Sequence, residues 1–315
     1  MKMKIKILAL VFVFCLFLSS CSALAGYSEP EDSLVAAAIG FDADGERIKV
    51  SVQVSEGAGG KESRILSGEG ASIEGAMISL SAGETKRIEY SHAAAVVIGR
   101  GIDPVWFGKI MRFCDENEEF SVSARLVSAS DAGGLLSPDG FSGYELLSMI
   151  TSGVGSHLSA ESRLYQVFRS EDGVFALPHF ASNGEGFELY GAKIYRGGEG
   201  KAILGRAEAV YYMMMRGLFG ENTGGESASL IEDCKTSYKI EKNDEGKSVL
   251  RVVCEIRVKE SDDGLLASVE QKMEELYTEL SFRHGDLFGF AERVDGDGFE
   301  VKFECKERGD GDGRK

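Results

Sequence analysis

The sequence predicts an α+β fold, with three mixed domains and antiparallel-rich sheets behind a cleavable leader. Segments of alternating apolar residues, typical of strands, occur along the whole 315-residue chain, interspersed with segments whose apolar residues recur at helical spacing. Two Gly/Ser-rich stretches, 151–159 and 220–227, interrupt this pattern and predict domain boundaries. The predicted units are a leader at 1–20 and domains at 21–150, 151–222 and 223–315.

The first residues have the parts of a bacterial secretory signal. A lysine-rich start is followed by an apolar run over 7–18, which is shorter than the ~20 residues of a membrane-spanning helix. Two small residues, Ser19 and Ser20, then precede Cys21, as in the lipobox of bacterial lipoproteins. We expect a lipoprotein signal peptide cleaved before Cys21, and acyl chains on that thiol that hold the protein at the extracytoplasmic face of a membrane. Ordinary cleavage after Ala25 is the alternative, and it would release a soluble protein.

The charge of the chain excludes two classes of partner. There are 51 acidic and 35 basic residues, for a formal net charge of −16, and loss of the lysine-rich leader makes the charge more negative still. Such a surface repels nucleic-acid phosphates and anionic lipid head groups. We therefore expect no nucleic-acid partner, and we expect membrane attachment through the lipid anchor rather than through a basic patch.

The first domain is predicted to open with a β-hairpin. The apolar segment 34–40 and the alternating segment 48–54 flank a turn sequence at 42–45. Its Asp-x-Asp-Gly spacing also begins some calcium loops, but here the glycine comes too early and the later ligands are missing. A strand of the buried type is predicted at 94–98, and another strand is predicted at 122–127.

Three helices are predicted in the same domain. Apolar residues recur at helical spacing over 72–80. Asp103 and Pro104 are typical of an N-cap followed by proline at the first helical position. Ser142 and Glu145 have the spacing of a capping box, which predicts a third helix start.

The second and third domains repeat this mixture of elements. Strands are predicted at 187–195 and 201–204, followed by a helix over 207–218 that contains three consecutive methionines. We interpret these methionines as helix core rather than as a flexible binding surface. The third domain is predicted to have strands at 238–241, 250–258 and 299–305, with a helix over 266–280.

Four cysteines follow the predicted anchor, namely Cys114, Cys234, Cys254 and Cys305. They form no CxxC pair and no Cys/His metal spacing. An extracytoplasmic location permits disulfides, but buried free thiols are the interpretation we prefer. Cys254 and Cys305 both face the predicted core of the last domain, so these two could approach each other as a candidate disulfide.

No residue pattern in the chain indicates catalysis. The four histidines, His92, His157, His179 and His284, lie in no metalloprotease or deaminase motif, and the sequence has no nucleophile elbow and no Walker loop. Carboxylates are numerous, but no pair stands out as an acid–base couple. We therefore predict no enzyme activity, no cofactor, no metal site and no catalytic residue.

Short motifs occur along the chain in a specific order. In that order they are Gly40-Phe41-Asp42, Val50-Ser51-Val52-Gln53, Gly68-Glu69-Gly70, His92, Gly99, Gly101-Ile102, Leu177-Pro178 and Asp286-Leu287-Phe288-Gly289-Phe290. The order resembles that of the Ger(x)C family, the C-subunit lipoproteins of bacterial spore germinant receptors. The chain departs from the family pattern beside Cys21, where serines replace Gly and Trp, and at Arg100, where the family usually has Glu.

The resemblance implies a non-catalytic, lipid-anchored subunit that nutrient-triggered spore germination requires. It implies integral membrane partners, the A- and B-type receptor subunits, and a location at the inner spore membrane. It carries over no catalytic residue, and it leaves open which germinant is involved and whether this subunit contacts it.

Two other functions are alternatives. A solute-binding lipoprotein of a membrane transporter would have two similar lobes around a cleft, and the sequence has no such repeat. An extracytoplasmic hydrolase would bring histidine and carboxylates together in one cleft.

Overall fold

The computed structural model describes residues 33–56, 63–152, 157–170, 173–219, 231–258, 264–294 and 298–308. These residues contain twelve strands and seven helices in mixed sheets, which confirms the α+β class. The predicted leader and Cys21 lie outside the described residues. Among the helices that are described, none is long and apolar enough to cross a membrane.

The strands are numbered in chain order. They are β1 (Ser33–Asp44), β2 (Arg47–Glu56), β3 (Ser63–Gly70), β4 (Arg87–Glu89), β5 (Ala95–Ile98), β6 (Arg125–Ala129), β7 (Val174–Ser182), β8 (Phe187–Arg196), β9 (Glu199–Gly205), β10 (Ile231–Lys242), β11 (Ser248–Val258) and β12 (Glu300–Glu307). The helices are α1 (Ile73–Ser81), α2 (Pro104–Glu116), α3 (Ala132–Leu135), α4 (Gly143–Thr151), α5 (Leu164–Phe168), α6 (Arg206–Arg216) and α7 (Leu265–His284).

A nine-stranded sheet forms the body of the structure. Its order is β3-β2-β1-β5-β6-β7-β8-β9, with β4 also paired to β1. The two ends are antiparallel hairpins, as the sequence predicts, but the central strands β1, β5, β6 and β7 are mutually parallel. The parallel centre departs from the predicted antiparallel-rich arrangement. Its strands are covered on both faces, which is the usual setting of parallel pairing.

This sheet crosses the first predicted domain boundary. Strands β1–β6 precede residue 151 and β7–β9 follow it, and β6 pairs with β7 through Ser128 and His179. The first two predicted domains therefore share one backbone hydrogen-bond network. The division into three folding units stays a prediction.

Helices cover both faces of the large sheet. Helices α1 and α2 pack on one face through Ile73, Leu80, Trp106 and Ile110, while α3 and α4 pack on the other. A smaller sheet, ordered β10-β11-β12, follows. Helix α6 lies between the two sheets and contacts β8 and β9 of the first and β10 and β11 of the second, and α7 packs on β12.

The methionine run lies in α6 and belongs to the core. Met213, Met214 and Met215 are all fully buried, because α6 has a sheet on either side. This confirms the interpretation of the run as helix core. An unbranched, polarizable side chain suits a helix that must fit two differently shaped surfaces.

Helix starts follow the predicted capping residues. The Asp103 carboxylate accepts from the backbone N–H of Trp106 at 2.7 Å, with Pro104 as the first helical residue of α2. At α4 the Ser142 hydroxyl accepts from the Glu145 N–H, and the Glu145 carboxylate accepts from the Ser142 N–H. Both predictions are confirmed because capping depends on neighbouring residues alone.

Two local predictions were wrong. Asp42 does not lie in a turn: it is inside β1 and only 5% exposed, and the chain turns after Asp44 instead. Val122 is not part of a strand: it is exposed, and β6 begins at Arg125.

Candidate functional site

The carboxylate of Asp42 binds three backbone amides from distant parts of the chain. Its Oδ1 accepts from the N–H of Arg100 at 2.9 Å and of Ala132 at 3.0 Å, and its Oδ2 accepts from the N–H of Gly133 at 2.9 Å. The side chain thereby joins β1 to the residues after β5 and to the start of α3. A buried carboxylate needs such partners, and here backbone dipoles supply all of them.

Two glycines allow the backbone to approach Asp42. A Cβ added at Gly99 would lie 2.1 Å from Asp42 Oδ1 and 2.8 Å from Ala132 Cβ. Gly101 has φ +68°, and a Cβ there would lie 2.0 Å from the carbonyl oxygen of Ala43. Only glycine fits at either position, so this part of the motif is explained by backbone packing.

Gln53, the last residue of the Val50-Ser51-Val52-Gln53 motif, forms a second connection of this kind. Its side chain is 2% exposed, and its Oε1 accepts from the N–H of Gly143 at 2.8 Å. Its Nε2 donates to the carbonyl oxygens of Leu136 and Phe141, both at 3.3 Å. Gln53 therefore fixes the connection between α3 and α4 to β2.

The Gly68 and Gly70 pair places α1 against β3. A Cβ at Gly68 would lie 2.2 Å from the carbonyl oxygen of Ala76, and one at Gly70 would lie 2.5 Å from the Ala76 nitrogen. These glycines therefore allow the close packing of helix α1 on strand β3.

The C-terminal motif begins with a carboxylate that orders its own loop. Asp286 accepts from the N–H of Phe288 at 2.9 Å and of Ala291 at 2.6 Å. Phe288 and Phe290 are buried, and both rings contact Tyr277 of α7. This segment therefore packs the loop after α7 onto the small sheet.

A buried polar cluster joins three neighbouring strands of the large sheet. His179 Nδ1 lies 3.1 Å from Ser128 Oγ, and the Tyr195 hydroxyl donates to the same oxygen at 3.2 Å. All three residues are at most 4% exposed. Such burial keeps substrates away from the serine, so the cluster connects β6, β7 and β8 rather than presenting a nucleophile.

This cluster predicts acid sensitivity. Burial, with a smaller contribution from the positive charge of Lys193, lowers the pKa of His179 to about 4. An unfolded chain titrates histidine near pH ~6.5, so below that pH the unfolded state binds a proton that the folded state does not. The contribution of neutral His179 to the free energy of unfolding is complete above pH ~6.5 and is lost as the pH falls toward ~4. The loss from this residue is at most about 1.4 kcal/mol per pH unit.

The measurement is urea unfolding across this pH range. We expect His179→Gln to reduce the pH dependence of the free energy of unfolding relative to the wild type. His92→Gln, at an exposed histidine, is the matched control and should keep the wild-type slope. Equal slopes for the wild type and H179Q would contradict the assignment.

The other histidines do not come together. His92 is exposed, and His284 is half-buried at the end of α7. His157 is buried and stacks on Phe219 with ring centroids 3.8 Å apart. Burial lowers the pKa of His157 to about 4, against the opposing charge of Asp233.

Two surface clefts carry side chains of both charges. One, of about 620 Å³, lies between the start of α1 and the C-terminal half of α2. The other, of about 570 Å³, lies among α5, the end of α6 and residues 289–293. No histidine lines either cleft. Their charged residues are Glu74, Lys109, Arg112, Glu116, Glu118 and Glu119 in the first and Glu161, Arg169, Arg216, Glu292 and Arg293 in the second.

Cys254 and Cys305 are direct register partners on β11 and β12. Both are thiols in the structure, as are Cys114 and Cys234, and their disulfide stays a prediction. Within the described ranges, no group of three or more His, Cys, Asp or Glu side chains is arranged to hold a metal ion.

The comparisons with known proteins give one match. Residues 26–180 match a family model described as "Spore germination protein N-terminal domain". Residues 26–180 therefore form the N-terminal domain of this family of spore germination proteins. No curated protein and no solved structure matches the chain. The match confirms the resemblance to the C-subunit family of germinant receptors that the ordered motifs indicated.

The spore germination domain contains every N-terminal motif described above. The matched residues include Asp42, Gln53, Gly68, Gly99 and Gly101, which the structure uses to fix the backbone. The match ends within β7, so it includes the parallel centre of the large sheet but not β8 and β9. The small sheet and its cysteines lie beyond the match.

Proposed function

We propose that this chain is the lipid-anchored C subunit of a spore germinant receptor. In this proposal it is non-catalytic, it associates with integral A- and B-type membrane subunits, and nutrient-triggered germination requires it. The observation that carries the proposal is the family match over residues 26–180, combined with a leader that ends at Cys21. The family supports a role in germinant receptors.

The charge of the protein supports attachment by lipid. The full sequence has a net charge of −16, and the part that follows the lysine-rich leader is more negative still, so its charge repels an anionic bilayer. Two or more acyl chains on Cys21 would overcome this, because each buried methylene adds ~0.8 kcal/mol of membrane affinity. The proposed location is the extracytoplasmic face of the inner spore membrane.

The structural role of the motif residues supports a protein that functions through its surface. Asp42 and Gln53 form hydrogen bonds with backbone groups of the same chain. The buried side chains of Ser128 and His179 form a hydrogen bond with each other. All four side chains are buried, so they stabilise the fold from within. We infer that the protein acts by presenting a rigid surface to partner subunits.

The alternatives receive less support. A solute-binding lipoprotein needs two similar lobes, whereas the two sheets differ in strand number and order. A hydrolase needs histidine beside carboxylates in a cleft, whereas the two clefts described above are lined by carboxylates, lysine and arginines.

Co-isolation from spore membranes tests the proposal. A C-terminally tagged full chain, isolated after mild detergent extraction, is expected to bring integral membrane subunits with it, identified by mass spectrometry. A strain with the untagged chain is the control. Deleting the chain is expected to abolish nutrient-triggered germination. Isolation of the tagged chain without integral partners, together with normal nutrient response of the deletion strain, would contradict the proposal.

A further inference from the structure

Three cysteines share one face of the small sheet. Cys234 lies on β10, Cys254 on β11 and Cys305 on β12. Cys254 and Cys305 are directly opposed across a parallel pair. Cys234 is opposed to Ile256, two residues from Cys254, so it lies diagonally across from Cys254 on the same face.

The sulfur atoms form a continuous row with their neighbours. Thr236 Oγ1 lies 3.7 Å from Cys234 Sγ and 3.6 Å from Cys254 Sγ. Cys305 Sγ lies 3.9 Å from the Met273 sulfur of α7. These positions place three thiols within reach of one another's strands.

Access differs among the three thiols. Cys254 and Cys234 are 1% and 4% exposed, whereas Cys305 is partly exposed on the edge strand β12. A reagent in solution therefore reaches Cys305 first.

Hydrogen bonding favours the thiolate at the middle position. The thiols of Cys234 and Cys305 both donate to the Cys254 sulfur, which lowers the pKa of Cys254. The same hydrogen bonds, together with burial, raise the pKa of each neighbour. Since thiolates are the nucleophiles in disulfide exchange, Cys254 is the best placed of the three to attack a neighbouring sulfur.

Strand geometry selects the partner of Cys254. Adjacent strands lie ~4.8 Å apart, which falls within the ~4.4–6.8 Å Cα separation of disulfides. Diagonal neighbours are ~7–8 Å apart, at or beyond the limit. Cys305 can therefore be bridged to Cys254 without moving the sheet, and Cys234 is left as a nearby thiol.

We propose that Cys254 and Cys305 form a thiol–disulfide exchange site whose substrate is a small or protein disulfide. Proton transfer from the Cys305 thiol to the Cys254 thiolate leaves a thiolate on the accessible Cys305, which attacks the substrate disulfide, forms a mixed disulfide and releases one substrate thiolate. That thiolate takes the proton back from Cys254, and the Cys254 thiolate then attacks the Cys305 sulfur and releases the second substrate thiolate. One turnover oxidises two protein thiols to one disulfide, reduces one substrate disulfide to two thiols, and bonds β12 covalently to β11. This goes beyond the proposed function and depends on it only for the location that supplies the disulfide.

The test uses the full chain, purified in detergent and fully reduced, with oxidised glutathione as the probe. After quenching and alkylation under denaturing conditions, peptide mapping should show a Cys254–Cys305 disulfide and two released glutathione molecules per chain. Cys114, which is buried in α2 against the large sheet, should remain alkylated as a thiol.

Variants separate exchange from general oxidation. Cys305→Ser is expected to abolish disulfide formation, whereas Cys254→Ser should stop at the Cys305–glutathione mixed disulfide. Cys114→Ser, at a buried thiol of α2 away from these three cysteines, is the matched control and should form the bond as the wild type does. Because the wild-type map needs no variant, the proposal stays testable if a variant fails to fold. No disulfide in the wild type, or equal oxidation of Cys114, would overturn it, without bearing on co-isolation with membrane subunits.

Discussion

Replacing Asp42 with Ala is expected to lower the free energy of unfolding by about 3 kcal/mol or more. The change removes the acceptor of three backbone N–H groups, those of Arg100, Ala132 and Gly133. A donor left without a partner in a buried setting costs about 1–3 kcal/mol. A native protein is stable by only about 5–15 kcal/mol, so the loss is a large share of the total.

The measurement is thermal or urea unfolding of a matched series. Asp42→Asn, which keeps one acceptor oxygen, should fall between the wild type and Asp42→Ala. Asp44→Ala, two residues along the same strand but exposed, is the control and should change stability by less than about 0.5 kcal/mol. Equal stability of the two alanine variants would show that the Asp42 carboxylate does not hold these segments together.

The sequence predicted those elements that depend on neighbouring residues. The caps at Asp103 and Ser142 bond to backbone groups three residues away, and the periodic segments supply helices α1, α6 and α7. Such local interactions can be predicted from one short segment of the sequence.

Non-local pairing could not be predicted in the same way. The partners of Asp42 lie 58, 90 and 91 residues away, so the residue resembled part of a turn until the fold brought them together. The parallel centre depends on β1 pairing with β5 and β6 with β7 across intervening helices. No spacing rule in the sequence specifies such pairings.

The buried polar cluster and the cysteine pair show the same contrast between local and non-local features. His179 and Tyr195 lie 51 and 67 residues from Ser128 in the sequence, so no short motif predicts that these three side chains meet. Alternation did predict that Cys254 and Cys305 face one core, but it did not predict that their strands are adjacent and in register. The functional prediction was based on the charge and on the order of the motifs. The family match confirmed the family that the motif order indicated.

Replacing Cys21 with Ala is expected to move nearly all of the protein from the membrane to the soluble fraction. In the proposed lipoprotein this variant would lack the thiol that receives the diacylglycerol, and it would lose acyl chains that each contribute ~0.8 kcal/mol per buried methylene. The strongly negative folded part offers no substitute attachment. Ser22→Ala, at the next residue, is the matched control and should stay in the membrane fraction.

The most direct test of the account is the mass of the N-terminal peptide, measured on protein isolated from spore membranes together with its partition. The account predicts a mature chain that begins at Cys21, carries two or more acyl chains and sediments with the membrane. A mature N-terminus that begins at Gly26 without acyl chains, on a protein that remains soluble, would contradict it.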